Sequence, residues 1–235
     1  MSRPDVSAIV LCYRAGDDIK LVIGPLYEQL RASGHSHELV LVANYWPDQA
    51  DPTPDIVKAF ADGREGVVVV SEPKQGGMGW DLRSGLAAAS GEIMIALDGD
   101  SQNPTEDVLK MYHLMQESGT QVMKGLRIAR YDGLYRRFVS TGYNFLFRAL
   151  FGTTGLWDIN GKPKGISRPA YEAMNLRSDD WFVDAEIILE ARRLALTVGE
   201  MPVVFRRNDS RPSFVRPAAV VEFLRNMFAR RVGRS

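Results

Sequence analysis

Four short apolar runs punctuate the first part of the chain: "VSAIVLCY", "HELVLVAN", "GVVVVSEP" and "EIMIALDGD". Between them lie segments of helical pattern, Asp17 to Ser33, "TPDIVKAFADG" and "WDLRSGLAAASG", the last two closed by glycine. Apolar strands of this kind alternating with helices predict βαβ units around a mostly parallel sheet. A further helix is expected from Pro104 or Thr105 to Ser118. Ligands of such sheets bind beyond the carboxyl ends of the strands. The fourth run ends there on two carboxylates, Asp98 and Asp100, with Gln102 just beyond.

After Gly119 the pattern changes. "QVMKGLRI" reads as a strand and "GLYRRFVSTGYNFLFRALFG" as an amphipathic helix. A polar-apolar connection, "DINGKPKGISRP", leads to a short helix and then to "DAEIILEARRLAL". A strand, "VGEMPVVFRR", and a loop precede a last helix, "AAVVEFLRNMFARR".

Composition narrows the function classes. Lys+Arg and Asp+Glu both number 29, so the chain has no polyelectrolyte character and nucleic acid is not expected as a partner. Charge is instead local. Arginines cluster from Val203 to Ser235, and basic residues from Lys124 to Arg148, patches suited to phosphates or an anionic membrane surface. The single cysteine, Cys12, excludes an intrachain disulfide and fits a reducing compartment. No signal-peptide pattern and no long apolar span are read, so a cytoplasmic location is expected.

Two carboxylates two residues apart, with an amide oxygen two further on, read either as a solvated turn or as a set of hard oxygen ligands. Mg²⁺ or Mn²⁺ prefers such ligands and commonly keeps substrate phosphates in its remaining positions. About twenty residues upstream, "KQGGMGWDLRSG" carries Gly76, Gly77 and Gly79, which permit close backbone approach by a ligand. It is neither a Walker loop nor a G-x-G-x-x-G fingerprint. His35, His37 and His113 lack ligand spacing and are expected to be structural or surface residues.

The order Gly-rich loop, "ALDGDSQNP", "KGLR", "YRRFVSTGYNFL", "DINGKPKGISR", "DAEIILEARR" and "EMPVVFRR" is similar to family 2 glycosyltransferases. The branch it resembles is that of polyprenyl-phosphate sugar transferases related to dolichol-phosphate mannose synthase, over roughly residues 6 to 215. The resemblance implies an α/β GT-A fold. It implies a single domain over 1–215, with a nucleotide-sugar half at 1–118 and an acceptor half at 119–215. A C-terminal amphipathic basic helix would follow at 216–235.

By the same resemblance, Asp98, Asp100 and Gln102 would hold Mg²⁺ or Mn²⁺ on the diphosphate of a UDP- or GDP-linked sugar. Tyr13, Asn44, Gly77, Gly79, Arg83 and Asp98 would line the donor site. Arg127, Arg136, Ser140 and Arg207 would grip the phosphate of a polyprenyl-phosphate acceptor, for which a guanidinium fork is suited. Asp158, Lys164 and Glu186 fall on further site positions, and Asp184 on the acceptor side. The catalytic set is then Asp100, Asp184, Arg127 and Arg136. The usual P-x-Y-N-E of the first strand keeps only Tyr13, and Ala43 and Asn44 replace the acidic end of the second, which leaves uracil or guanine open.

A hydroxyl acceptor is the alternative, with Asp184 as general base. A HAD-type phosphohydrolase using D-x-D, and a non-catalytic nucleotide-sugar-binding protein, are the rivals from other classes. Phe138, Phe145, Phe147, Leu150 and Phe151 beside arginines, and Val221, Leu224, Met227 and Phe228 near the end, read as core-facing or as membrane-docking stripes. Peripheral association with the cytoplasmic membrane face is expected, with a membrane-protein partner or a homo-oligomer as further possibilities.

Overall fold

The computed structural model describes residues 3–130, 134–152 and 155–206, together with Arg225. Side chains at 129, 130, 134–140, 143 and 144 lie outside the description. In chain order the elements are β1 (Val6–Leu11), α1 (Lys20–Ala32), β2 (His37–Val42), α2 (Thr53–Ala61), β3 (Val67–Val70), α3 (Met78–Ala88) and β4 (Ile93–Asp98). There follow α4 (Glu106–Ser118), β5 (Val122–Arg130), α5 (Leu134–Phe151), β6 (Lys164–Ser167), α6 (Arg168–Ala173), α7 (Val183–Arg193) and β7 (Val198–Phe205).

The strands form one seven-stranded sheet in the order β3-β2-β1-β4-β6-β5-β7. The expected βαβ units are present, with β1, β2, β3 and β4 mutually parallel. Their continuous apolar runs follow from burial on both faces. One face packs Val22, Leu26, Val57, Val108 and Met111 of α1, α2 and α4. The other packs Leu82, Leu86, Phe147, Val183 and Ile187 of α3, α5 and α7. Each such side chain, wholly removed from water, stabilises the fold by about 1.5–3 kcal/mol.

The segment read as a connection, "DINGKPKGISRP", contains a strand. β6 lies antiparallel between β4 and β5, with Ala96 opposite Lys164 and Lys124 opposite that same residue. Lys124 in turn stands opposite Glu200 of β7. A polar row therefore runs across β6, β5 and the edge strand β7, and Lys124 and Lys164 are both buried in it. Two lysines and two glycines disguised this strand as a loop.

Candidate active site

The strand ends of β1, β2 and β4 open on one edge of the sheet, as parallel order requires. β4 delivers Asp98, and a tight turn follows. Ser101 takes a left-handed conformation (φ 61°), and the main-chain N–H of Gln102 donates to Asp100 Oδ1 at 3.0 Å. Gly99 between the two carboxylates is required by packing: a Cβ there would lie 2.8 Å from the carbonyl oxygen of Leu11. The side chain of Gln102 donates through Nε2 to the carbonyl of Arg206 at 3.0 Å, so its Oε1 is the amide atom left without a protein partner among the described residues.

The residues present fit a hard divalent cation. Two carboxylates and an amide oxygen share one turn. Asp98 is raised to about 6, first by burial and then by the negative charge of Asp100 and Asp184, against the pull of Lys162 and Arg127. Gathered negative charge of this kind is what a bound cation relieves. Among the described residues no cluster of three His, Cys, Asp or Glu side chains is arranged around a metal position, so an ion held here would take its other ligands from the amide, water and substrate oxygens.

Arg127 of β5 sits at the site, with Nε and Nη2 each 2.6 Å from the carboxylate of Asp158 and the guanidinium over the Phe205 ring. Burial alone would raise Asp158, but the Arg127 fork and Lys124 outweigh it and hold the carboxyl low. Lys124 is met by the carbonyl of Asp158 and by Glu200.

Asp184, in the first turn of α7, is buried, and so is Glu186. One oxygen of Asp184, Oδ1, accepts from Lys162 Nζ at 2.9 Å and from Lys164 Nζ at 2.6 Å. Burial opposes ionisation, yet the two ammonium groups dominate and hold the carboxyl at about 2. Lys164, whose charged form burial disfavours, is brought down to about 8. Lys162 was not among the expected site residues, because a lysine beside proline in a polar stretch reads as surface. No signal in the sequence marks it as buried.

Glu186 holds the main-chain N–H groups of Arg177 and Ser178 on Oε2. That segment fills the space beside the Gly-rich loop. A Cβ at Gly79 would lie 2.4 Å from the Ser178 carbonyl oxygen, and one at Gly77 3.1 Å from that of Asp179. The close approach these glycines permit is therefore made by the chain itself. Arg83 also turns to this segment, bonding the Arg177 carbonyl and the Asp179 carboxylate.

Where the donor was expected, Lys74 lies 4.5 Å from the centre of the Tyr13 ring and pairs with Asp81. Asn44 donates to Asp81 and Ser84, both at 3.0 Å, and accepts from the Glu72 N–H at 2.9 Å. Its side chain braces β2 against α3, and the Lys74–Asp81 pair beside Tyr13 is the feature that sequence reading missed. The expected phosphate ligands Arg136, Ser140 and Arg207 lie outside the described side chains, as do Phe138 and the C-terminal stripe from Val221 to Phe228. His35 and His113 pack their rings together beside Tyr112, as structural residues do. A HAD-type D-x-D belongs on the first strand of its core, whereas this one ends β4.

Comparison with known proteins now bears on these groups. The pattern of "Glycosyl transferase family 2" matches residues 7–174. A dolichyl-phosphate beta-glucosyltransferase of Trichomonas vaginalis is 27% identical over 168 residues, covering 68% of this chain and 52% of that protein. An undecaprenyl-phosphate 4-deoxy-4-formamido-L-arabinose transferase of Pectobacterium carotovorum is 24% identical over 148 residues, covering 63% and 44%. The chain thus spans about half the length of these curated relatives. Glucosyl-3-phosphoglycerate synthase of Mycobacterium tuberculosis, solved with UDP, shares the fold at a TM-score of 0.75 and 20% identity, over 99% of this chain and 81% of that one. The same enzyme has been solved with Mn²⁺, UDP-glucose and phosphoglyceric acid. The expected GT-A architecture is the one observed.

Proposed function

The chain belongs to glycosyl transferase family 2, and on that premise we propose that it moves a sugar from a nucleoside-diphosphate sugar to a polyprenyl phosphate, with inversion and with Mg²⁺ or Mn²⁺ at the end of β4. Asp98, Asp100 and the Oε1 of Gln102 would hold the ion, which supplies neutralisation of the departing diphosphate. Tyr13 and the Lys74–Asp81 pair border the donor side. Arg127, fixed by Asp158, presents positive charge at the site without freedom to wander.

The observation that carries the choice of acceptor is the double pairing of Asp184. A hydroxyl acceptor needs a general base poised near the working pH. A carboxyl held at about 2 by two ammonium groups is a weak base, and its Oδ1 already accepts from both of them. A phosphate monoester is already anionic and needs positioning and charge neutralisation instead. The names of the curated relatives, which carry dolichyl and undecaprenyl phosphate, support the same acceptor class.

A lipid acceptor requires contact with a membrane surface. No described helix is long and apolar enough to cross one. Phe145 of α5 and Trp157 are exposed, and the Arg148 guanidinium lies 4.2 Å from the centre of the Trp157 ring. Exposed aromatic side chains, one of them under an arginine, suit the headgroup level of a bilayer, with the cytoplasmic leaflet as the anionic one.

The test incubates the protein with UDP-glucose or GDP-mannose, undecaprenyl phosphate in detergent, and Mn²⁺. Metal-dependent formation of a lipid-linked sugar phosphate is expected, with loss on chelation. Transfer to 3-phosphoglycerate with no lipid-linked product would sink the acceptor assignment.

A further inference from the structure

Lys162 and Lys164 share one carboxylate, yet their surroundings differ. Lys164 spends its ammonium fully within the chain, on Asp184 Oδ1 at 2.6 Å and on the carbonyls of Ile159 at 3.1 Å and Asp184 at 3.3 Å. Lys162 makes a single hydrogen bond among the described residues, to Asp184 Oδ1. Its side chain is only 4% exposed. An ammonium carries three donors, so two of them are uncommitted in a nearly closed space.

A second buried cation on an already paired carboxylate is hard to explain as structure. Desolvating an ion costs several kcal/mol and is offset only by full hydrogen bonding. Lys164 alone supplies Asp184 with a charged partner, and Lys162 adds burial with one bond to show for it.

The position of Lys162 is also fixed with care. Its carbonyl accepts from Asn103 Nδ2 at 2.9 Å, which ties it to the turn that follows Asp98 and Asp100. The next carbonyl, of Pro163, accepts from the Gly125 N–H at 2.8 Å on β5. Lys162 is therefore tied to the acidic turn of β4 through its main chain and to Asp184 of α7 through its side chain.

We propose that Lys162 is a substrate-phosphate ligand, held by Asp184 so that its two open N–H donors meet phosphate oxygen. Such a contact is charge-assisted and short, and the fixed stem means little freedom is lost on binding. The proposal rests on the glycosyltransferase reading for which phosphate is meant. The donor diphosphate and the acceptor phosphate offer the same chemistry, and the experiment separates them.

Binding of UDP and GDP with Mn²⁺, of pyrophosphate, and of farnesyl phosphate is measured by calorimetry for the wild type and for Lys162→Met, with far-UV circular dichroism as the check on folding. A loss of tenfold or more is expected for the nucleotides and pyrophosphate if the donor is the source, and for farnesyl phosphate if the acceptor is. Lys162→Arg should recover part of whichever affinity falls. Unchanged affinities in Lys162→Met overturn the proposal. Wild-type binding of pyrophosphate through Lys162 without binding of either nucleotide overturns the glycosyltransferase reading and leaves Lys162 standing. A wild type that binds none of the probes overturns both. If Lys162→Met does not fold, a crystal structure of the wild type with UDP and Mn²⁺, and another with farnesyl phosphate, decides the matter. A phosphate oxygen within about 3.2 Å of Nζ in either is expected, and an Nζ still bonded to Asp184 alone in both overturns the assignment.

Discussion

Gln102 and Arg206 exchange hydrogen bonds. The Arg206 N–H donates to the Gln102 carbonyl at 2.8 Å, and Gln102 Nε2 donates to the Arg206 carbonyl at 3.0 Å. The acidic turn is thereby clamped to the end of β7, and the amide is turned so that its oxygen is the end left over. Gln102→Ala keeps the main-chain bond and loses the side-chain one. Stability should fall by only about 1 kcal/mol in urea, while Mn²⁺ affinity measured by calorimetry should drop about tenfold. An unchanged Mn²⁺ affinity would reduce Gln102 to a brace for β7.

Asp100→Asn should abolish metal-dependent transfer and spare the fold. The asparagine Oδ1 can still accept the Gln102 N–H that closes the turn, while the charge that attracts a cation is gone. Radiolabelled sugar transfer and a thermal melt on the same preparation measure the two halves. Full activity in the variant would overturn the metal role.

Lys164→Met should be the costly member of the lysine pair. It deletes three buried hydrogen bonds and half the charge opposite Asp184, a change of the kind that costs about 3–5 kcal/mol. Lys162→Met, with one bond to lose, should cost clearly less in the same urea titration. Equal losses would mean that the two lysines do the same structural work.

Acid should unfold the chain through Asp184. Its folded value of about 2 lies below that of an unfolded aspartate, so the folded state binds its proton less readily. The stability gained is complete above about pH 4 and is lost as pH falls from there through about 2, a contribution of about 2–3 kcal/mol. Thermal melts from pH 5 to 2 measure it. Lys164→Met should flatten the slope, since the depression depends on the ammonium groups.

Phe145→Ala combined with Trp157→Ala should weaken sedimentation with vesicles of mixed neutral and anionic lipid by tenfold or more, as expected for removal of two inserted aromatic side chains. Melting temperature should hardly move, because both residues are exposed. Wild-type protein that stays in the supernatant would remove the docking role altogether.

The first four strands were legible because burial on both faces forces unbroken runs such as Ile93 to Leu97, and the acidic pair could be placed because strand ends are where parallel sheets bind. What escaped notice has a physical pattern. β6 is four residues long, and Lys164 occupies a central strand only because Asp184 and two carbonyls, twenty and five residues away, complete it. No local signal carries such a partner. The Gly-rich loop was recognised as a place of close approach, yet glycine says nothing about what approaches, and here it is Ser178 to Asp180. Asn44 was marked by its position after β2, where the structure shows a brace between β2 and α3. Arg127 was marked by the resemblance of "KGLR" to the family pattern, but its fork with Asp158 needed the fold.

The fit of Gly79 against the Ser178 carbonyl joins parts of the chain a hundred residues apart, and Glu186 grips the same segment from within α7. A Gly-rich loop transplanted from a relative would therefore arrive without its mould. Chimeras that exchange residues 74–85 alone should jam at this seam, and those that carry 175–186 with them should not. Residues 74–85 and 175–186 thus form one casting, and neither is expected to be exchanged without the other.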